Sequence, residues 1–142
     1  MTLLDVNILL YAYNADAPQH RAAAAWLDAL FKGPDLIGLP WSTLWAFLRI
    51  STDRRAWSTP KSSREVFEIL HGWLSQPNVV MVRPGPRHLE IVESLVKEQQ
   101  ASGPLVSDAV LAALSLENGA ALAPTDRDFG RFSGLRWINP LG

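Results

Sequence analysis

Short apolar runs, each too brief for a helix, alternate along this chain with longer stretches of helical periodicity. The runs are Leu3 and Leu4, then "LIGLP" (36–40), "NVVMV" (78–82), "AALA" (120–123) and "LRWI" (135–138). They are continuously apolar instead of alternating with polar residues, the pattern of strands covered on both faces. Between them lie "QHRAAAAWLDALFKG" (19–33), "WSTLWAFLRIST" (41–52), "SSREVFEILHGWL" (62–74), "PRHLEIVESLVKEQQ" (86–100) and "SDAVLAALSLENG" (107–119). Strands separated by helices of this length must return in the same direction, so the expected fold is α/β. A central, mostly parallel sheet of about five short strands is flanked by helices. The 142 residues contain no long linker, internal repeat or low-complexity tract, so residues 1–142 read as one domain.

Local chemistry sharpens several boundaries. Ser62 or Ser63 is available to cap the fourth helix, and Asn118–Gly119 gives a strong stop to the last one. A helical turn is expected from about Asn7. The segment 41–52 is apolar around most of its circumference and reads as a buried helix; Trp41 and Trp45 are candidates for contacts with a partner, but core packing is the favoured reading. In 86–100, Leu89, Val92, Leu95 and Val96 define the inward face. No run of 18 apolar residues exists to span a membrane, and the N-terminus has neither the basic segment nor the apolar region of a secretion signal. The absence of cysteine excludes disulfides, thiol nucleophiles and thiolate metal sites; a cytoplasmic location is the expectation.

Acids stand where such a fold places chemistry. Active sites of open α/β sheets gather outside the carboxyl ends of the strands. Asp5 closes the first strand and is wedged between Leu4 and Val6; Asp126 and Asp128 follow the fourth; Asp108 stands near the start of the helix leading into the fourth. Each has a purely structural alternative. Asp5 can cap the turn at Asn7–Ile8, Asp108 can be an N-cap, and Asp126 and Asp128 can order a turn through side-chain hydrogen bonds. If they converge, their repulsion is tolerable only with positive charge among them. An all-oxygen ligand set then selects Mg²⁺ or Mn²⁺. His20, His71 and His88 fall among polar or amphipathic helical residues at no zinc-binding spacing and read as surface residues. There is no phosphate-binding G-x-x-x-x-G-K-[ST] loop and no G-x-S-x-G elbow.

The formal charge of −1 hides an asymmetry. Residues 49–64 carry Arg49, Arg54, Arg55, Lys61 and Arg64 against Asp53 alone, a net +4 that leaves −5 elsewhere. A basic stripe on an otherwise acidic chain suits a polyanion, with Trp57 available to stack on a base. The structural alternatives are a solvated surface, Arg49 as a partner for the acids, and Trp57 as a core or dimer residue.

At these residues the sequence resembles the PIN-domain family, in particular the VapC-type toxins of bacterial toxin–antitoxin pairs. "LLDVNILLYAYN" is similar to the family's apolar strand, Asp-x-Asn and following helix, and "SDAVLAALSLENGAALAPTDRDFGRFSGLRWINPL" to its C-terminal half. The resemblance implies a single PIN-like domain and a metal-dependent endoribonuclease that hydrolyses RNA at an acidic Mg²⁺ or Mn²⁺ site. It implies Asp5, Asp108 and Asp126 as catalytic metal ligands, with Asn7, Thr125 and Asp128 in support. It further implies neutralisation by a cognate VapB-like antitoxin, and a homodimer. Two departures stand out. The family's Glu on the helix after the second strand has no counterpart, since "WAFLRI" places Phe47 there, and Pro124 occupies the place where a Thr often lies, with Thr125 next. One missing carboxylate favours a one-metal site. It also opens an alternative, a catalytically impaired RNA- or protein-binding module.

Overall fold

A computed structural model describes the chain over residues 1–142, apart from the side chains of Arg127 and Asp128. The elements run β1 (Thr2–Leu4), α1 (Val6–Tyr13), α2 (His20–Lys32), β2 (Ile37–Pro40), α3 (Trp41–Ser51), α4 (Ser63–Leu74), β3 (Val79–Val82), α5 (His88–Gln99), α6 (Pro104–Glu117) and β4 (Ala121–Ala123). A 3₁₀ turn at Arg127–Arg131 follows. The sheet is parallel throughout, in the order β3-β2-β1-β4.

The alternation along the short strands sorts side chains between two cores. Leu4, Ile37, Leu39 and Ala123 pack with helices α1 to α4, whereas Leu3, Val82 and Leu122 pack with α5 and α6. Strands β1, β2 and β4 are therefore covered on both sides, as their apolar character requires, but the edge strand β3 is not: only Val82 is buried and Val80 is 36% exposed. Gly38 has no room for a side chain: a Cβ there would stand 2.7 Å from Val82 Cγ2.

The sheet has four strands, not five. Residues 135–138 reach β4 only through a single bridge from Trp137 to Leu122. Leu122 N–H donates to the Arg136 carbonyl, and Ile138 N–H donates to the Leu122 carbonyl, both at 2.8 Å. The next rung would need an N–H from residue 124, which is proline, so the ladder stops.

Three other expectations change. Helix α3 buries Thr43, Leu44, Phe47 and Ser51 but leaves Trp41 42% and Trp45 49% exposed, so it is buried on one face only. Leu89, 81% exposed, does not belong to the inward face of α5; that face is Ile91, Val92, Leu95 and Val96. His71 alone is an exposed histidine. His20 and His88 are half-buried, the first donating through Nδ1 to the Tyr11 carbonyl at 3.0 Å, the second paired with Glu117. No helix among the described residues is long and apolar enough to cross a membrane.

Candidate active site at the carboxyl edge of the sheet

Strand register brings the acids to one edge. β1 and β4 are neighbours with Leu4 opposite Ala123, so the chain leaves both strands on the same side of the sheet, toward Asp5 in one case and Asp126 in the other. Helix α6 delivers the third acid. It ends in a tight turn into β4, with Gly119 at φ 60° and Ala120 N–H donating to the Ser115 carbonyl at 2.9 Å. Running back against β4, it therefore presents its first turns at the edge where β4 ends.

That helix starts earlier than the position of Asp108 suggests. Gly103, at φ 59° and ψ −136°, is the N-cap and Pro104 the first helical residue, a pairing only glycine and proline suit so well. Asp108 is thus the fifth residue of α6, one turn beyond the end, and its N-cap alternative is excluded. Asp5 does act as a cap. Val6 N–H donates to Asp5 Oδ1 at 2.7 Å, which starts α1 immediately after β1.

Asp5 and Asp108 line one pocket of about 620 Å³, although they come from opposite ends of the chain. Asn7 lies in the wall beside Asp5, and Ser107 beside Asp108. Most of the remaining wall is α3, through Ser42, Thr43, Trp45, Ala46, Arg49 and Ile50, and Val6, Pro104 and Leu111 complete it. Thr43 ties that helix to the strand by donating its hydroxyl to the Leu4 carbonyl at 3.1 Å. Burial pushes the Asp5 carboxyl up to about 6; the Val6 N–H pulls it down, and the charges of Asp108 and Asp126 push it further up. Asp126 thus acts on Asp5 through space, yet it is exposed and neither it nor Thr125 lines the pocket. The Asp128 side chain lies outside the described residues.

The position expected to carry a carboxylate on α3 shifts by one. Phe47 is fully buried in the core beneath α1 and α4, while Ala46 faces the pocket. One residue along a helix is a rotation of about 100°, enough to exchange core for site. The substance of the departure stands, because α3 contributes no acid to the wall.

The basic stripe is only partly at the site. Arg49 lines the pocket, whereas Arg55 pairs with Asp53 at 3.1 Å, Arg64 lies 3.7 Å from Glu68, and Lys61 sits 5.9 Å above the Trp57 ring. Arg54 is exposed away from the pocket wall. Trp57, 6% exposed, is a core residue and presents no face to a base. The wall residues Ser42, Trp45, Ala46 and Ser107 carried no individual sequence signal beyond their place on helices that flank acids.

Among the described residues, no three carboxylates or imidazoles gather closely enough to hold a metal ion unaided. The donor chemistry still fits one hard, largely hydrated cation. Two carboxylates sit in one pocket with amide and hydroxyl oxygens beside them, and Mg²⁺ takes one or two carboxylates while retaining several waters.

Residues 2–135 match the model of the PIN domain family. The chain is similar to ribonuclease VapC31 of Mycobacterium tuberculosis CDC 1551, 41% identical with 99% of both chains covered. It is 40% identical to ribonuclease VapC25 of M. tuberculosis H37Rv, again over 99% of both. Among solved structures, its fold is similar to that of VapBC2 from Rickettsia felis bound to promoter DNA (TM-score 0.69, 18% identity, 97% of each chain). It is also similar to M. tuberculosis VapC20, a sarcin-ricin-loop-cleaving toxin (TM-score 0.64, 18% identity, 96% of this chain and 99% of that one).

Proposed function

The chain belongs to the PIN-domain family, and from that premise we propose that it is a Mg²⁺- or Mn²⁺-dependent endoribonuclease, the toxin of a VapBC-type pair. The observation that carries the reading is that Asp5 and Asp108 share a pocket in which acid crowding is part of what raises the Asp5 carboxyl. An acid left in that state by its own fold is suited to a ligand that brings positive charge.

Asp5 and Asp108 would hold the ion, with the Asn7 amide beside the first, the Ser107 hydroxyl beside the second, and Asp126 adding negative potential from outside the wall. When bound, such an ion lowers the pKa of a coordinated water and offsets charge on a phosphodiester. The backbone N–H of Val6 fixes the Asp5 carboxylate in one orientation. Asp108 sits inside the rigid part of α6, past its fraying end. Arg49, in the α3 wall, is placed to take a non-bridging phosphate oxygen. Similarity to the VapBC complexes supports a VapB-like antitoxin as partner.

One observation favours the impaired-module alternative: Ala46 leaves the α3 wall without a carboxylate. A single assay decides. Purified protein is incubated with RNA in Mg²⁺ or Mn²⁺, alongside Asp108→Asn and a chelated control. Cleavage by the wild type alone, abolished by both controls, is the expected result. RNA binding without cleavage in either metal would overturn the enzyme in favour of the module.

A further inference from the structure

Of the six tryptophans, Trp57 and Trp73 are buried and Trp26 and Trp137 half-buried; only Trp41 and Trp45 are exposed. These two lie on each other, with ring centroids 5.6 Å apart and planes 22° from parallel. They occupy positions i and i+4 of α3, and Arg49 continues the same row at i+8. Trp45 and Arg49 both line the pocket that holds Asp5 and Asp108. The row therefore runs from two stacked indoles to a guanidinium along the wall of the acidic site.

We propose that the Trp41–Trp45 pair is a base-stacking platform that seats unpaired nucleotides beside the Asp5–Asp108 pocket. The proposal deepens the endoribonuclease reading, on which it rests, by naming the residues that would hold the strand. Its logic begins with a conflict. An acidic pocket repels the phosphates it must cleave, and the basic segment that would attract them has spent Arg55 on Asp53 and set Arg64 beside Glu68. With few cations left to attract the strand, a group indifferent to charge adds affinity that the acids do not oppose. Stacking of a base on an indole contributes about 1–3 kcal/mol per base and needs only a free π-face. In a duplex those faces are already covered by neighbouring bases, so the platform accepts only unpaired nucleotides. Arg49, one turn further along, meets the phosphate linking a stacked base to the cleavage site. A protein partner would be indifferent to this order of rings and charge, whereas a nucleic acid strand repeats it.

The test is binding of the wild-type chain to a fluorescent, unstructured oligoribonucleotide in EDTA, where RNA is not consumed and no metal is required. Trp45→Ala is expected to weaken binding roughly 5- to 100-fold and Trp41→Ala less, while Trp45→Phe, which keeps a π-face, restores most of the affinity. The same strand annealed to its complement should bind no better to wild type than to Trp45→Ala. Circular dichroism and sedimentation of each variant accompany the titrations. The platform is overturned if Trp45→Ala binds within twofold of wild type, if wild type holds duplex as tightly as single strand, or if the unstructured strand does not bind. It is equally overturned if Trp45→Ala changes the oligomeric state, which would make the pair a contact between copies. Addition of Mg²⁺ to the same wild-type mixture tests the nuclease reading separately: stacking without cleavage would reject that reading and leave the platform in place.

Discussion

Asp5 and Glu117 are both carboxylates drawn largely out of water, and the fold treats them in opposite ways. Glu117, whose side chain is 7% exposed, is fully provided for: Oε1 accepts from the Gly85 backbone N–H at 3.0 Å and Oε2 from His88 Nδ1. It joins the end of α6 to the segment leading into α5. Among the described residues the hydrogen bond to Asp5 comes from its immediate neighbour, and the charges that act on it from Asp108 and Asp126 are of its own sign. Buried acids that only support a fold are hydrogen-bonded or paired. The contrast makes Glu117 architecture and, on the proposed function, suits Asp5 to a bound cation.

The largest effect that bears on this contrast is catalytic. Asp108→Asn should lower RNA cleavage by roughly 10²- to 10⁴-fold with the far-ultraviolet circular dichroism unchanged, and chelation of the wild type should do the same. A variant that cleaves at the wild-type rate would place the chemistry elsewhere. Next come stability changes of opposite sign. Glu117→Ala should cost about 1–3 kcal/mol in urea unfolding, because it strands the Gly85 N–H and the His88 ring, while cleavage per folded molecule persists. Asp5→Asn should instead raise the stability of the metal-free protein at neutral pH by about 1–3 kcal/mol.

The sign of the second effect follows from the Asp5 carboxyl. Its value rises from 3.8 in the unfolded chain to about 6 in the folded one. Below about 3.8 both states are protonated and the residue contributes no difference. Between there and about 6 the unfolded chain loses its proton first, so folding stability falls as pH rises, and above that window the penalty is constant. The advantage of Asp5→Asn should accordingly vanish when melting is repeated at pH values below the window. An advantage that persists there would mean that something other than charge is being relieved. The smallest effect extends the crowding. Ala46→Glu puts a carboxylate on the bare α3 wall and should lower metal-free stability by about 1 kcal/mol, a loss that added Mg²⁺ reverses in a thermal melt.

What could be seen in the sequence was whatever depended on the order of elements. Asp5 and Asp108 were legible because strand ends and preceding helices in a parallel sheet share an edge regardless of detail. The start of α6 was not read: the helix was expected from Ser107, whereas Gly103 caps it and Pro104 is its first residue, a signal the sequence does carry. The missing rung at Pro124 likewise follows from the absent N–H. Rotation about a helix axis was not legible. Phe47 and Ala46 exchange core for site through one residue, and an apolar circumference on α3 gave no sign that Trp41 and Trp45 would face water while Phe47 faced inward. Pairings between distant segments were also invisible, His88 with Glu117 among them, because nothing in either local pattern names the other.

The Thr43 hydroxyl has one proton, and it goes to the carbonyl of Leu4, the residue directly before Asp5. The helix that carries the indoles is thereby tied to the end of the strand that the acid follows. The two walls of the site are coupled like the jaws of a caliper. An RNA gripped at one jaw and cut at the other would be broken at a constant number of nucleotides from its seat, so cleavage position would be gauged by the length of this gap before any base is read.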